Sequence, residues 1–304
     1  MPATKLPRTL ARVSLLSLLP AVAAAQTCPP ASATRTDLLA LEARGFTIED
    51  AGAREDLALG LLPCLSNPDP ELRDGVAFEA LSTWMRDGLL SAESATAVLD
   101  SLLPRIAPDF PDPEGFHRPF SALVLAEVAR MDRVEPFLPD TRLDALVAGA
   151  AAFLSAVDDY RGFDERGGWR HAVAHGADLV LQLALNARVG EHELRGMLDA
   201  IGTQVAPPGE HSYVYGEPGR LARAVYYLAA RDLLAAETWE EWLGRVSDAG
   251  PLDSWDDAFR SKEGLAKRHN TTDFLLALYL FVSQDASVQE RVMPALMDAI
   301  QRVP

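Results

Sequence analysis

The chain has 304 residues, of which 48% are hydrophobic and 24% are charged, and its formal net charge at pH 7 is -16. A chain of this length that is nearly half apolar can bury a large core. Its acidity argues against nucleic acid and anionic membrane surfaces as partners, because like charges repel each other before contact.

The first 25 residues have the pattern of an export signal. A basic start is followed by an apolar run over residues 13–25, in which Ala23 and Ala25 supply the small residues of a cleavage site. The run is shorter than the roughly 20 residues that span a bilayer, and Pro20 interrupts it. We therefore predict cleavage after Ala25, export to the periplasm or the medium, and a mature chain without a transmembrane segment.

Cys28 and Cys64 are the two cysteines of the chain. In an oxidising compartment an isolated pair is more often bonded than free. The sequence therefore predicts a disulfide that ties residues 26–36, expected to be a flexible N-terminal tail, to the first helices. The alternative is a free Cys28 and a buried Cys64 within the apolar run LGLLPCL.

Beyond the tail, apolar residues recur at intervals of three and four, which is the period of an amphipathic helix. Pro and Gly mark the turns between these segments, and no segment has a convincing strand pattern. The pattern predicts helices over 72–85, 91–102, 118–131, 140–157, 169–188, 191–204, 218–236, 238–247, 263–283 and 287–301.

Helix pairs that recur about every forty residues are typical of helical-repeat proteins. The sequence predicts an all-α fold in which residues 37–304 form a single domain. We expect a stack of antiparallel helix pairs, either a HEAT-like α-solenoid or a closed α/α toroid. The longest nonhelical pieces, 104–117 and 206–219, are either irregular turns or loops along one functional face.

Four phrases of the sequence carry a family resemblance. They are HRPFSALVLAEV at 117–128, YRGFDERGGWRHAVAHGADLVLQLA at 160–184, YGEPGRLARAVYYL at 215–228 and NTTDFLLALYLFV at 270–282. Together they resemble the sequence marks of the DUF2785 family, bacterial proteins of unknown function. The resemblance extends over most of the mature chain and supports an all-helical domain. It implies no reaction.

Residues 158–180 concentrate more polar chemistry than any other segment. A helix that starts near residue 168 would place His171, His175 and Asp178 in one sector of its surface. Such a set can bind a divalent metal ion, with Asp178 as a ligand or as the partner that orients His175. The favoured interpretation is a buried polar network between helices, so no cofactor is predicted.

A candidate binding surface joins this segment to the loop over 206–219. Exposed aromatic rings can stack on a ligand, and loops on a rigid scaffold often carry binding residues. The alternatives are that Arg161 clamps its own turn and that the loop tyrosines pack inward. The candidate binding residues are Asp159, Arg161, Trp169, His211 and Tyr213.

Three functional classes remain. A binding or scaffold protein is favoured, with a protein, peptide or glycan of the cell envelope as partner, because helical repeats present a broad surface and no complete catalytic set is visible. A metal-dependent hydrolase using His171, His175 and Asp178 is the first alternative. A toroidal sugar-processing enzyme is the second, with acids and aromatic residues around Asp159, Glu165, Trp169 and Tyr213. The sequence identifies no catalytic residue.

Overall fold

The computed structural model describes Met1 and residues 27–304, so the predicted signal peptide and its cleavage site lie outside the described residues. The described part contains twelve α-helices, a π-helical segment and a two-stranded hairpin. The prediction of an all-α fold is confirmed. The expectation that no strand would form was wrong at this hairpin. No helix in the described residues combines the length and the apolarity needed to cross a membrane.

The N-terminal half contains six α-helices. The π-helical segment Glu71–Phe78 continues directly into α3, and short 3-10 turns at Leu62–Ser66 and Leu103–Ile106 follow α2 and α4. The helices are α1 (Arg35–Glu42), α2 (Ala51–Leu61), α3 (Glu79–Arg86), α4 (Ala92–Leu102), α5 (His117–Val134) and α6 (Asp140–Ser155).

The C-terminal half contains the hairpin and six more helices. The hairpin joins α6 to α7, and a 3-10 turn at Trp255–Arg260 precedes α11. The elements are β1 (Phe163–Asp164), β2 (Gly168–Trp169), α7 (Ala172–Ala184), α8 (Glu191–Val205), α9 (Glu217–Ala230), α10 (Ala236–Val246), α11 (Lys262–Val282) and α12 (Ala286–Arg302).

Local capping explains where several helices begin. A side-chain oxygen at the residue before the helix accepts a backbone N–H of the first turn, which would otherwise have no partner. Thr34 and Asp37 form a reciprocal pair of this kind on α1. Single caps of the same type begin α2, α4, α11 and α12, and their residues are Asp50, Ser91, Ser261 and Asp285.

From α5 onwards, alternate helices pack side by side in two layers. One layer contains α5, α7, α9 and α11, each packed on the next, and the other contains α6, α8, α10 and α12. This is the packing expected for stacked helix pairs. Large aromatic side chains fill the space between helices: Trp84, Phe153, Trp239, Trp242 and Phe274 are each at most 1% exposed.

Cys28 and Cys64 form a disulfide that ties the segment before α1 to the 3-10 turn after α2. The first helix already begins at Arg35, so the boundary predicted after residue 36 lies within α1. Because Thr34 caps this helix, the chain is ordered by local hydrogen bonds immediately after the cysteine segment.

The helix predicted from residue 169 begins only at Ala172. Gly168 and His171 both have left-handed backbone conformations, with φ of 70° and 56°. These two residues lie where the chain passes from the hairpin to the helix. An α-helix requires negative φ at every residue, so it cannot include either position. His171 therefore precedes the helix that carries His175 and Asp178, so the predicted helix start at residue 169 was wrong, although the ring centroids of His171 and His175 lie 5.8 Å apart.

Candidate functional site

The hairpin between α6 and α7 forms the centre of the candidate site. Its strands are antiparallel, with Phe163 opposite Trp169. Asp164 closes the turn, because its Oδ1 atom accepts the N–H groups of Arg166 at 3.0 Å and Gly167 at 2.7 Å. The N–H of Gly167 and the neighbouring guanidinium of Arg170 lower the pKa of Asp164 to about 2, so this carboxylate is charged at neutral pH.

Arg73, in the π-helical segment, anchors the hairpin from the protein interior. Its side chain is completely buried, and its Nε atom lies 2.6 Å from Oδ1 of Asp74. Its terminal nitrogens donate to the carbonyl oxygens of Asn67 at 2.9 Å, Gly167 at 2.6 Å and Trp169 at 3.3 Å. The charge of Arg73 thus has an anionic partner, and two of its acceptors belong to the hairpin.

The Phe116 ring lies between two guanidinium groups. The Arg73 guanidinium carbon is 3.9 Å from the ring centroid, and that of Arg170 is 4.3 Å away. Arg170 also donates to the carbonyl oxygen of Glu114 at 2.8 Å and pairs with Asp164. Cation–π contacts and charge-assisted hydrogen bonds therefore fix the hairpin to two other segments of the chain.

Three exposed aromatic residues lie on the outer side of the hairpin, and we call Phe163, Trp169 and Tyr215 the aromatic platform. The ring centroids of Phe163 and Trp169 are 5.2 Å apart, and those of Trp169 and Tyr215 are 5.7 Å apart. Their exposed fractions are 46%, 37% and 39%. The Tyr215 hydroxyl donates to the Phe163 carbonyl oxygen at 3.2 Å, and its ring occupies the space where a side chain at Gly162 would begin.

An open cleft of about 440 Å³ lies on one side of the platform, and we call it the hairpin cleft. Its polar and aromatic lining residues are Tyr160, Arg161, Phe163, Asp164, Arg170, His211 and Tyr215. The His211 ring stacks on Tyr160, with centroids 5.3 Å apart and planes at 21°. Stacked rings keep their orientation, so the cleft presents a fixed aromatic wall.

A second cavity of about 350 Å³ is lined by Trp169, and we call it the histidine cavity. Its lining residues are Asp74, Gly75, Phe78, Glu79, Phe120, Leu123, Trp169, His171 and His175. Trp169 thus belongs to the platform and also lines the histidine cavity. Tyr215 lines the hairpin cleft but not the histidine cavity.

Four of the five predicted binding residues lie around these two cavities. Arg161 and His211 line the hairpin cleft, and Trp169 lines the histidine cavity. Asp159 lies beside the hairpin cleft as the ion-pair partner of Arg161, at 2.5 Å. Tyr213 is 2% exposed and lines neither cavity.

The hydrogen bonds of Tyr213 are structural. Its N–H donates to the side-chain oxygen of Asn270 at 2.9 Å, and its hydroxyl donates to the carbonyl oxygen of Gln204 at 3.0 Å. These contacts attach the loop over 206–216 to α8 and α11. Tyr213 therefore supports the cleft from within, and the exposed tyrosine of this loop is Tyr215.

Of the three predicted metal ligands, His171 and His175 line the same cavity with ring centroids 5.8 Å apart, whereas Asp178 pairs with an arginine. The His171 ring stacks on Trp169 at 4.8 Å, and its Nε2 atom lies 3.7 Å from a carboxylate oxygen of Glu217. Both carboxylate oxygens of Asp178 accept from Arg220, at 3.0 and 2.5 Å. Within residues 27–304, no group of three or more His, Cys, Asp or Glu side chains is arranged to hold a metal ion.

His175 lines the histidine cavity, and of its ring nitrogens only Nδ1 makes a hydrogen bond among the described residues. Its Nδ1 atom lies 3.2 Å from the carbonyl oxygen of Pro119. A carbonyl oxygen only accepts, so this contact assigns the proton to Nδ1 and leaves a lone pair on Nε2. Burial lowers the pKa of His175 to about 3 and that of His171 to about 4, so both rings are neutral at pH 7.

Several residues of the site were missed by sequence reasoning. An acidic residue in the first turn of a helix is usually solvated, so nothing in the sequence indicated that Glu217 is buried. In the structure Glu217 is 2% exposed and accepts the N–H of Tyr215 at 3.0 Å. Arg73 likewise follows the charge pattern of a helix surface. For Tyr215, the tyrosine of the aromatic platform, the only indication in the sequence was its position in a long loop.

The family described as "Protein of unknown function (DUF2785)" matches residues 110–280, which is more than half of the chain. The chain belongs to the DUF2785 family. The matched part of this DUF2785 protein includes the whole hairpin, the loop over 206–216 and His171, whereas Arg73 and Asp74 precede it. No curated protein and no solved structure matches the chain.

Proposed function

We propose that this DUF2785 protein is exported and binds a glycan of the cell envelope through the aromatic platform and the hairpin cleft. The observation that carries this proposal is the set of three exposed aromatic rings, in mutual contact, on a hairpin that a buried arginine holds in place. Contiguous exposed apolar surface beside a cleft is characteristic of interaction sites.

The rigidity of the platform supports a binding role. Trp and Tyr side chains have only two flexible torsions, so little conformational entropy is lost when they contact a ligand. Tyr215 is further restricted by its hydrogen bond to the Phe163 backbone and by its contact with Gly162. A ligand would therefore meet rings that already have their bound orientation, which lowers the free-energy cost of association.

The polar groups of the cleft suit a hydroxyl-rich ligand. Sugar rings have apolar faces that stack on aromatic side chains and hydroxyl groups that both donate and accept hydrogen bonds. Two ion pairs lie at the cleft, Arg161 with Asp159 and Arg170 with Asp164. They are close to the aromatic lining residues such as Tyr160. Each carboxylate already has a guanidinium partner, which favours hydrogen bonding to a ligand over proton transfer.

Export is supported by two independent features. The first 25 residues have the pattern of a signal peptide, and Cys28 is bonded to Cys64. Disulfides persist in oxidising compartments outside the cytosol. Glycans of the cell envelope are abundant ligands in the compartment to which an exported protein is delivered.

The test is co-sedimentation of the mature protein with purified peptidoglycan and binding to a panel of immobilised polysaccharides. Tyr215→Ala should weaken binding at least about tenfold, equivalent to about 1.4 kcal/mol. Tyr279→Ala is the matched control, because Tyr279 is 38% exposed on α11 and lines neither cavity. Circular dichroism and the melting temperature establish that both variants are folded.

Two outcomes would overturn the proposal. The first is equal binding by the parent protein and a folded Tyr215→Ala variant. The second is capture from an envelope extract of a protein partner, dependent on Tyr215, together with no binding to any glycan of the panel. Recovery of the chain with its first 25 residues intact and both thiols free would contradict export.

A further inference from the structure

We propose that the histidine cavity binds a primary ammonium group carried by the glycan ligand. This inference rests on the proposed function and names the chemical group that the ligand must present beside Trp169. Trp169 lines the cavity and belongs to the platform, so a ligand on the platform is in direct reach of the cavity.

The cavity offers hydrogen-bond acceptors to a ligand. His175 is 6% exposed and lines the cavity, and its Nε2 atom carries a lone pair because the proton is held on Nδ1 by Pro119. The other polar side chains on the wall are the carboxylates of Asp74 and Glu79 and the ring of His171. A group that only donates, such as an ammonium with three N–H bonds, satisfies these acceptors.

The aromatic wall favours the same kind of ligand. Phe78, Phe120 and Trp169 line the cavity, and the faces of such rings attract cations. The Phe120 ring also meets His175 edge to face, with centroids 5.1 Å apart, which fixes the imidazole beside the wall. Aromatic walls combined with carboxylates are a common way to bind an organic ammonium group.

Each arginine near the cavity has a carboxylate partner. Two arginines lie nearby, but Arg73 is paired with Asp74, and Arg220 is paired with Asp178. Both imidazoles are neutral at pH 7 because burial lowers their pKa values. Glu79, at the exposed rim, has no ion-pair partner among the described residues, so its charge is available to a ligand.

The buried carboxylate of Glu217 adds to the negative potential. It lies 3.7 Å from the Nε2 atom of His171, and among residues 27–304 it accepts one hydrogen bond, from the N–H of Tyr215. Electrostatic interactions are stronger in such a poorly solvated place than in water. A cation that enters the cavity is therefore stabilised by Glu79 at the rim and Glu217 behind His171, and neither carboxylate forms an ion pair with an arginine among the described residues.

The experiment compares three probes of similar size, namely glucosamine, glucose and N-acetylglucosamine. They differ in whether one substituent is an ammonium, a hydroxyl or an uncharged amide. Binding is followed by NMR or calorimetry at about pH 6, where an amine with a pKa of about 8 is protonated. We expect glucosamine to bind at least about tenfold more tightly than the other two, which corresponds to about one charge-assisted hydrogen bond.

Glu79→Gln should remove most of this preference, since it keeps the shape of the side chain and deletes its charge. Glu93→Gln is the matched control, because Glu93 is an exposed glutamate of α4 that does not line the cavity. His175→Asn is a second variant: its amide can still donate to Pro119, but it removes the Nε2 lone pair. If this variant does not fold, Glu79→Gln decides the question alone.

Equal binding of the three probes would overturn the inference, as would a preference for glucosamine that survives Glu79→Gln. The result is separable from the proposed function. If co-sedimentation depends on Tyr215 while the three probes bind equally, the ammonium site is wrong and the glycan-binding platform stands. If glucosamine is preferred but Tyr215→Ala changes no glycan binding, the platform is wrong.

Discussion

The guanidinium of Arg73 lies 2.6 Å from the carbonyl oxygen of Gly167, although the two residues are 94 positions apart in the chain. The same side chain donates to Asn67 and Trp169 and pairs with Asp74. Only a planar fork with five N–H donors can reach so many acceptors at once. The conformation of the hairpin therefore depends on one residue of the π-helical segment.

Arg73→Lys tests this dependence, because lysine keeps the charge and loses the fork. We expect the free energy of unfolding to fall by about 2 to 3 kcal/mol, since buried carbonyl oxygens lose their donors. Chemical denaturation measures the change. Arg245→Lys is the control, because Arg245 forms an exposed ion pair with Asp199 and should change stability by less than about 1 kcal/mol. Equal effects of the two substitutions would contradict the anchoring role.

Gly162→Ala tests the position of Tyr215. An added Cβ atom would overlap the Tyr215 ring, so the tyrosine must move away from the platform. We expect a loss of stability of about 1 to 3 kcal/mol, a changed near-ultraviolet circular dichroism spectrum and weaker glycan binding. Gly196→Ala, within α8, meets no atom within 4 Å and should instead stabilise the protein by about 0.5 to 1 kcal/mol. An unchanged spectrum for Gly162→Ala would show that Tyr215 is free to shift without consequence.

The stability of the protein should depend on pH through His175. Burial lowers its pKa from 6.5 to about 3, so between these values the unfolded chain binds a proton that the folded chain does not. Acid therefore favours unfolding. The contribution of neutral His175 is fully present above pH 6.5 and falls by up to about 1.4 kcal/mol per pH unit until about pH 3.

The measurement compares unfolding free energies across this pH range for the parent protein and His175→Asn, which cannot titrate. We expect the parent to lose stability more steeply as the pH falls. His192→Asn, on the exposed start of α8, is the matched control and should follow the parent. Parallel curves for the parent and His175→Asn would contradict the prediction, because they would mean that His175 has the same pKa in the folded and unfolded states.

We expect the melting temperature of the parent protein to be the same in a chelator and in zinc. The reason is that Arg220 occupies both oxygens of Asp178, and Pro119 occupies Nδ1 of His175. If His171, His175 and Asp178 did bind metal, zinc would raise the melting temperature by mass action. Stoichiometric metal in the purified protein, lost in His171→Ala, would establish the metal site instead.

The helices could be predicted from the sequence because their signal is local. The helix predicted at 263–283 is found at Lys262–Val282, since apolar residues such as Phe274 and Leu278 recur at the helical period and are buried. The start of α7 could not be predicted in this way. It depends on the left-handed conformation of His171, which the hairpin and its packing impose.

The site was only partly predictable because its geometry is set by contacts between distant segments. Arg161 and His211 were found from their residue types in loops, and Trp169 from its aromatic ring at a predicted helix start; the structure places all three at the two cavities. A loop has no period that distinguishes the buried Tyr213 from the exposed Tyr215. A buried arginine and an exposed one have the same local sequence signal, so Arg73 can be recognised only from its partners.

The position of Arg73 also limits how far the protein can be divided. The segment shared with the family, 110–280, contains the platform but neither this arginine nor the acids Asp74 and Glu79. A fragment cut at the borders of family similarity would keep the rings that contact the ligand and lose the support that orients them. The smallest piece able to carry the site must therefore reach back at least to Asn67, and a binding-deficient fragment of 110–280 would say nothing against the platform.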